Sequence, residues 1–283
     1  MNHAALIEAA LDEDLHNGDL TTFSTIPNET VSEAFIVAKE PMVVSGHDIG
    51  RAAFEGTARR LGGHVSYDVL EADGNHVEDR TKIAHVRGHL RTILIGERLA
   101  LNFMMRMCGI ATNVQAYSKA AQGKLRVVDT RKTTPLMRVL EKAAVRHGGC
   151  HNHRFGLYDG VMIKDNHIAG VGGDVALAVK RAREAVHHLI KIEVEVTHID
   201  QIRPAIDAGA DVLLLDNMDD KTLQAAIAAA RGIDPRVLLE ASGNINPARL
   251  ERIRDYGLDV ASAGGLIHQA RWADLSLQVA GTR

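Results

Sequence analysis

Residues 151–167, HNHRFGLYDGVMIKDNH, hold three histidines, Arg154, Lys164 and two side-chain amides around the apolar run Val161-Met162-Ile163. The stretch continues an imbalance. Between 126 and 167 there are eight Lys or Arg against four Asp or Glu. Arg138, Lys142 and Arg146 have the four-residue spacing of one helical stripe and read as solvated helix charges. Arg131, Lys132, Arg154 and Lys164 follow strand-like runs or sit in loops. Arginine offers a planar fork and lysine a point charge, both suited to carboxylate or phosphate. Four such cations converging imply a polyanionic ligand; for any one of them the competing reading is a structural ion pair.

Carboxylates stand opposite. Glu193 and Glu195 alternate along IEVEV, so they share one face of their strand, and Asp216 ends the next run. Two or three carboxylates in a crevice suit Mg²⁺ shared with phosphates, or can offset positive charge developing on carbon. The competing reading, a core partner for a lysine, is stronger for Glu193 than for Glu195. Ser242-Gly243-Asn244 and Ala263-Gly264-Gly265 follow the last two strand-like runs, where backbone N–H groups commonly receive phosphate. Alone, such dipeptides only turn the chain. Of the 15 histidines, most, such as His187-His188, read as surface. Zinc spacing, a Walker loop and GxGxxG are all missing.

The elements that must position these groups repeat from about 125 onward as apolar run, polar end, amphipathic helix. The runs are LRVVD (125–129), GVMIK (160–164), IKIEVEV (190–196), DVLLLD (211–216), RVLLEAS (236–242) and DVASAG (259–264). Nearly all-apolar strands alternating with helices predict a parallel sheet buried on both faces. Polar groups at the C-terminal end of every strand predict a (β/α) barrel rather than an open doubly wound sheet. Six units are clear, and a seventh fits around 143–150. Residues 1–105 differ: helical patterns over 3–13 and 47–61, and strand-like EAFIVAKE, MVVSG, HVSYDVLEA and KIAHVRGH, predict an α+β unit. A long helical pattern over 89–122 follows, and Pro135 suits the first turn of the helix PLMRVLEKAAVRHG.

Composition narrows the class. At 283 residues, 46% hydrophobic and 24% charged, the chain is of ordinary globular type. A net charge of −3 without a basic tail argues against nucleic-acid or membrane affinity. Two cysteines, Cys108 and Cys150, make no disulfide framework and predict a reducing, cytoplasmic setting. The acidic amphipathic N-terminus is unlike a signal peptide, and nowhere do eighteen apolar residues run together.

DTRKTTP (129–135), HNHRFGLYDGVMIKDNHI (151–168), IEVEV with LLLDN (213–217), EASGNI (240–245), ERLALNFMMRMCGIAT (97–112) and EDLHNGDLTT (13–22) together resemble the quinolinate phosphoribosyltransferase family, also called nicotinate-nucleotide pyrophosphorylase (carboxylating). The resemblance implies an N-terminal α/β sandwich over 1–110, an open seven-stranded (β/α) barrel over 111–270, and a tail, 271–283, packing back on the first domain. It implies a homodimer with shared active sites. The implied reaction joins quinolinate to phosphoribosyl pyrophosphate with Mg²⁺, giving nicotinate mononucleotide, CO₂ and pyrophosphate for NAD biosynthesis.

Carried over by motif, Arg131, His153, Arg154 and Lys164, with Thr130 nearby, match the positions around the quinolinate carboxylates. Arg98 matches the arginine reaching across the dimer. Lys132, Glu195 and Asp216 match the catalytic groups around the phosphoribosyl moiety, with Glu195 and Asp216 toward Mg²⁺. Ser242, Gly243, Gly264 and His268 match the phosphate end. Two departures touch loops only. The glycine run before HNHR is Gly148-Gly149-Cys150, and the last strand reads ASAGGLIH where the family has near ISxGALTH. Cys150 reads as a small buried filler ahead of a reactive thiol. The alternatives are a divergent relative associated with molybdate uptake and a silent phosphoribosyl-ligand binder; the intact charged set argues for quinolinate.

Overall fold

A computed structural model describes residues 3–282; Met1, Asn2 and Arg283, the last residue of the expected tail, lie outside the described residues. The strands are β1 (Val31–Ala38), β2 (Met42–Val43), β3 (Val65–Val69), β4 (His76–Val77), β5 (Lys82–His89), β6 (Arg126–Val128), β7 (Val161–Ile163), β8 (Ile192–Val196), β9 (Val212–Asp216), β10 (Leu238–Ser242), β11 (Val260–Ser262) and β12 (Leu275–Thr282). They fall into two compact units. One holds the chain through Gln115, with Thr133–Gly149 and the segment from Ala270; the other holds Ala116–Lys132 and Cys150–Gln269.

The first unit carries an antiparallel sheet of order β12-β1-β5-β3 and a short ladder of β2 with β4. The chain's last strand is an edge of this sheet, running antiparallel to β1 from Ala38–Leu275 to Ser32–Thr282. Helix His47–Leu61 begins after Gly46 and stops at Gly62, whose φ of 69° lets its N–H close back on Ala58 and Arg59. Its buried face needs glycines for close approach. A Cβ at Gly50 would stand 2.6 Å from Met104 Sδ, and one at Gly56 2.6 Å from Ile7 Cγ2.

Thr133–Gly149, grouped by sequence with the barrel, clusters with this first unit instead. The fully buried Glu141 carboxylate explains it. It pairs with Arg106 Nη2 at 2.8 Å and accepts from Thr134 N and Oγ1 at 2.8 and 2.9 Å. The helix there runs Arg138–His147, starting later than Pro135 because Leu136 sits at φ 67°, outside the helical region. The expected solvated stripe is corrected at one residue: Lys142 is buried, at 2% exposure, while Arg138 is half-buried and Arg146 exposed.

The second unit holds the six predicted strands, all parallel, in the order β6-β11-β10-β9-β8-β7. Beyond β6, His151 makes one parallel bridge to Val128. Read across, the order is chain order rotated, as in a barrel opened at one seam between His151 and β7. The seventh stave is therefore a single bridge at His151, since the stretch where it was expected is helical through His147. Helices Val175–Ala185, Asp220–Ile233 and Pro247–Ile253 connect the strands, N-capped by Asp174, Asp219 and Asn246.

One device recurs at the N-terminal ends of these strands. Arg183 donates to Ile190 O and Gly209 O and pairs with Asp211, which accepts the Ile192 amide. Arg231 donates to Val237 O and Gly257 O and pairs with Asp259, which accepts the Leu239 amide. In both, arginine and aspartate lie 28 residues apart. Each set fixes the entry of a strand by tying its backbone to an arginine–aspartate pair.

Candidate active site

At the C-terminal ends of the parallel strands lies a cavity of about 620 Å³, lined entirely by the second unit. Inward residues of the strands form its floor: Met162 on β7, Glu195 on β8, Leu214 and Asp216 on β9, Glu240 and Ser242 on β10. Alternation along each strand selects them. In IEVEV, Glu193 and Glu195 face the crevice while Val194 and Val196 are fully buried on the other side.

The loops after β6 and at 151–154 supply most of the cations. Asp129, fully buried, accepts from Asn152 Nδ2 at 2.6 Å and from the His153 amide at 2.9 Å, so the end of β6 holds the 151–154 loop in place. Thr130 Oγ1 accepts from Lys132 N at 3.0 Å and shapes the Thr-Arg-Lys turn. Arg154 is pinned by donating to Gly160 O at 2.8 Å. Burial and the charge of Arg131 both press on its guanidinium. Among the described residues, Arg131, Lys132 and Arg154 form no ion pair within 4.0 Å. Lys164 differs: its Nζ lies 2.9 Å from Glu195 Oε2.

Beneath them His153 Nε2 faces two buried carboxylates, Glu193 Oε2 at 3.2 Å and Glu240 Oε2 at 3.4 Å. Burial opposes charge on the ring, but hydrogen bonds to the two glutamates outweigh it and lift His153 to about 10. Burial also raises Glu193. His153 therefore keeps a proton shared with these carboxylates at neutral pH. The other ring nitrogen, Nδ1, accepts the Arg154 amide at 2.8 Å. Accepting there takes a lone pair on Nδ1, so the proton that the glutamates favour lies on the Nε2 side, shared between ring and carboxylates. By proximity the three side chains could also surround a metal ion, which would take that proton's place. Glu193, weighed above as a lysine partner, is a histidine partner. Its pairing with Glu240 was missed because alternation tells which face a residue takes, not which neighbour it meets.

At the opposite wall the phosphate-end residues meet. A Cβ on Gly264 would lie 2.8 Å from Lys132 Cδ and 3.1 Å from His268 Nε2, so the bare backbone lets the lysine stem pass. Gly243, at φ 86°, abuts Asn217, whose Oδ1 would be 2.1 Å from any Cβ there. Asn217, itself at φ 54°, donates Nδ2 to Asp216 Oδ2 at 2.6 Å. Thr130, Arg131, Lys132, His153, Arg154, Lys164, Glu195, Asp216, Ser242, Gly243, Gly264 and His268 thus all line one cavity. Arg98 does not; it is exposed on helix Leu90–Ala121, in the other unit's part of the chain.

Cys150 is buried and its thiol is pushed up to about 12 by burial, which fits the filler reading. Cys108, equally buried, is also pushed up to about 12.

The chain matches the family models for the N-terminal domain of quinolinate phosphoribosyl transferase over residues 19–108 and for its C-terminal domain over 110–278. It is 39% identical over 283 residues to the probable nicotinate-nucleotide pyrophosphorylase [carboxylating] of Bacillus subtilis, covering 99% of this chain and 95% of that one. The protein of the same description from Synechocystis is 38% identical over 270 residues, covering 95% and 90%. Among solved structures, NadC from Streptococcus pyogenes superposes with a TM-score of 0.90 at 35% identity, covering 99% and 95%. With both domain models matched in order and a strand-end cavity of this composition, the chain belongs to the quinolinate phosphoribosyltransferase family.

Proposed function

We propose that this chain transfers the phosphoribosyl group of phosphoribosyl pyrophosphate to the ring nitrogen of quinolinate, releasing pyrophosphate and CO₂ and leaving nicotinate mononucleotide. One observation carries the reading: a single cavity gathers Arg131, Lys132, Arg154 and Lys164 against Glu195 and Asp216, in a chain matched over both family domains. Quinolinate is a dianion and its co-substrate a polyanion. They can share a site only where several cations neutralise both.

Arg131 and Arg154, convergent and without an ion pair among the described residues, are assigned to the quinolinate carboxylates, with His153 and Thr130 beside them. Lys164 joins them by exchanging Glu195 for a substrate carboxylate. Released from that pair, Glu195 faces the anomeric carbon with Asp216. As the ring nitrogen bonds to that carbon, the bond to pyrophosphate breaks and its electrons leave with the phosphate. The positive charge developing on the sugar is then offset by the two carboxylates. The quaternised ring next accepts the electrons of the adjacent C–CO₂ bond, and a proton replaces the lost carboxylate. No side chain need become covalently attached; the protein positions and neutralises.

Lys132, Ser242, Gly243, Gly264 and His268 are assigned to the phosphates. Glu195 and Asp216 are hard oxygen donors on neighbouring strands, and only one oxygen of each is occupied by Lys164 or Asn217. That set fits a Mg²⁺ ion arriving on the diphosphate, whose charge it would neutralise. Arg98, exposed and outside the cavity, is assigned to the cavity of a second copy, which makes the working unit a homodimer. Two buried free thiols accord with a cytoplasmic setting. Among the described residues no helix is long and apolar enough to cross a membrane.

The test is product analysis with phosphoribosyl pyrophosphate, Mg²⁺ and either quinolinate or nicotinate. Nicotinate mononucleotide and CO₂ in equal amounts from quinolinate, with no product from nicotinate, are expected. Product from nicotinate alone, or sugar-phosphate binding without turnover, would overturn the assignment.

A further inference from the structure

The loops after β9 and β10 form the phosphate wall and meet where Asn217 N donates to Ser242 O at 3.1 Å. One residue further along each loop, an arginine that does not line the cavity joins them again. Arg249, on helix Pro247–Ile253, is about 12% exposed. Its Nη1 donates to Gly243 O at 2.6 Å and its Nη2 to Met218 O. Its Nε lies 3.8 Å from Asp220 Oδ1, while Arg252 holds the other oxygen of the same carboxylate at 3.0 Å. Its own amide is fixed on the Asn246 cap at 2.9 Å.

The consequence follows from peptide geometry. In a trans peptide the N–H points opposite to the C=O. With the Gly243 carbonyl drawn back onto the guanidinium, the next amide, that of Asn244, is turned the other way, and Asn244 lines the cavity. The Met218 carbonyl is likewise drawn away, on the loop that carries Asp216 and Asn217. Asn217 and Gly243 are interlocked at a distance that leaves no room for a Cβ. Both residues hold left-handed backbone, at φ 54° and 86°. Such conformations persist only when their surroundings hold them. A planar fork spanning two carbonyls does so where a single ammonium could satisfy only one.

We infer that Arg249 is a positioning residue for the phosphate wall: it clamps the β9 and β10 loops from behind and sets affinity for the diphosphate-bearing substrate without touching it. The inference rests on the reaction proposed above and adds a residue to it. Arg249→Ala should raise KM for phosphoribosyl pyrophosphate about tenfold to a hundredfold, as expected from losing hydrogen bonds made by a charged donor. KM for quinolinate should stay within about twofold, since that wall is formed by other loops. Added guanidinium should restore part of the loss. Arg249→Lys, which keeps the charge and one hydrogen bond, should fall between and serves if the alanine variant does not fold.

A parallel titration of inorganic pyrophosphate by calorimetry separates this inference from the reaction. Wild-type protein that binds pyrophosphate but makes no nicotinate mononucleotide would sink the reaction. The clamp then still stands or falls by whether the Arg249 variant binds pyrophosphate more weakly. Equal rises in both KM values, or unchanged affinity for pyrophosphate and phosphoribosyl pyrophosphate, would overturn the clamp.

Discussion

The two ends of the parallel sheet treat arginine in opposite ways. At the N-terminal ends Arg183 meets an aspartate and two carbonyls, and Arg231 an aspartate and three. At the C-terminal ends Arg131, Lys132 and Arg154 converge around a cavity open to a ligand, with no ion pair within 4.0 Å among the described residues. Guanidinium groups cost desolvation and side-chain entropy wherever they are held. At one end the cost is offset within the chain; at the other it awaits an anion. In a strand-end site this is the expected division between stability and function. It teaches that a cation's role is read from whether it is answered, not from its burial.

The largest effect that could break this division comes from Glu195→Ala. Removing it should lower kcat about 10²–10³-fold, the usual loss of one charge-stabilising group at the reacting centre. Quinolinate binding should hold or tighten, because Lys164 loses its internal partner. Titration of quinolinate into the variant decides this, and loss of that binding would move Glu195 to the quinolinate side. Arg154→Ala comes next. KM for quinolinate should rise roughly tenfold to a hundredfold while that for phosphoribosyl pyrophosphate changes little, and thermal stability should be nearly unaffected. Steady-state kinetics with each substrate varied in turn reads this. Equal effects on both substrates would mean that the guanidinium serves general charge rather than the carboxylate clamp.

The mirror-image experiment lies at the other end. Arg231→Ala strips three carbonyls and the partly exposed Asp259 of their donor. A loss of about 2 kcal/mol in unfolding free energy is expected by denaturant titration, with both KM values unchanged. A kinetic effect with unchanged stability would collapse the distinction between the ends.

How much of this the sequence shows depends on range. Strand identity, parallel order and the polar strand ends are local signals, and all six parallel strands lie where the apolar runs place them. The shared face of Glu193 and Glu195 is local too, following from a period of two. What needs register is not legible. Lys164 and Glu195 come from neighbouring strands, whereas the β8 and β10 carboxylates that meet at His153 come from opposite sides of β9. Within the helical stripe of Arg138, Lys142 and Arg146, Lys142 departs because spacing says that residues share a face, not that all of the face is wet. The Arg183–Asp211 and Arg231–Asp259 pairs share a 28-residue spacing, but charged residues at such distances have no local partner to announce them.

The smallest predicted effect tests a residue placed between the two regimes. Cys150 sits one residue before the bridge at His151, close to the cationic loop, where a thiol exposed to positive charge would ionise and react. Instead it is 5% exposed, and burial together with the charge of Asp129 pushes it up to about 12. Such a thiol is protonated at pH 8, and stays so until the pH approaches that value. Native protein should therefore resist iodoacetamide at pH 8, whereas unfolded protein should be alkylated at both cysteines, as mass spectrometry would count. Cys150→Ala should leave kcat and both KM values within about twofold and cost roughly 1 kcal/mol for the small cavity it leaves. Rapid native labelling at Cys150 that quinolinate blocks would instead place the thiol on the functional side of the comparison, at the edge of the clamp.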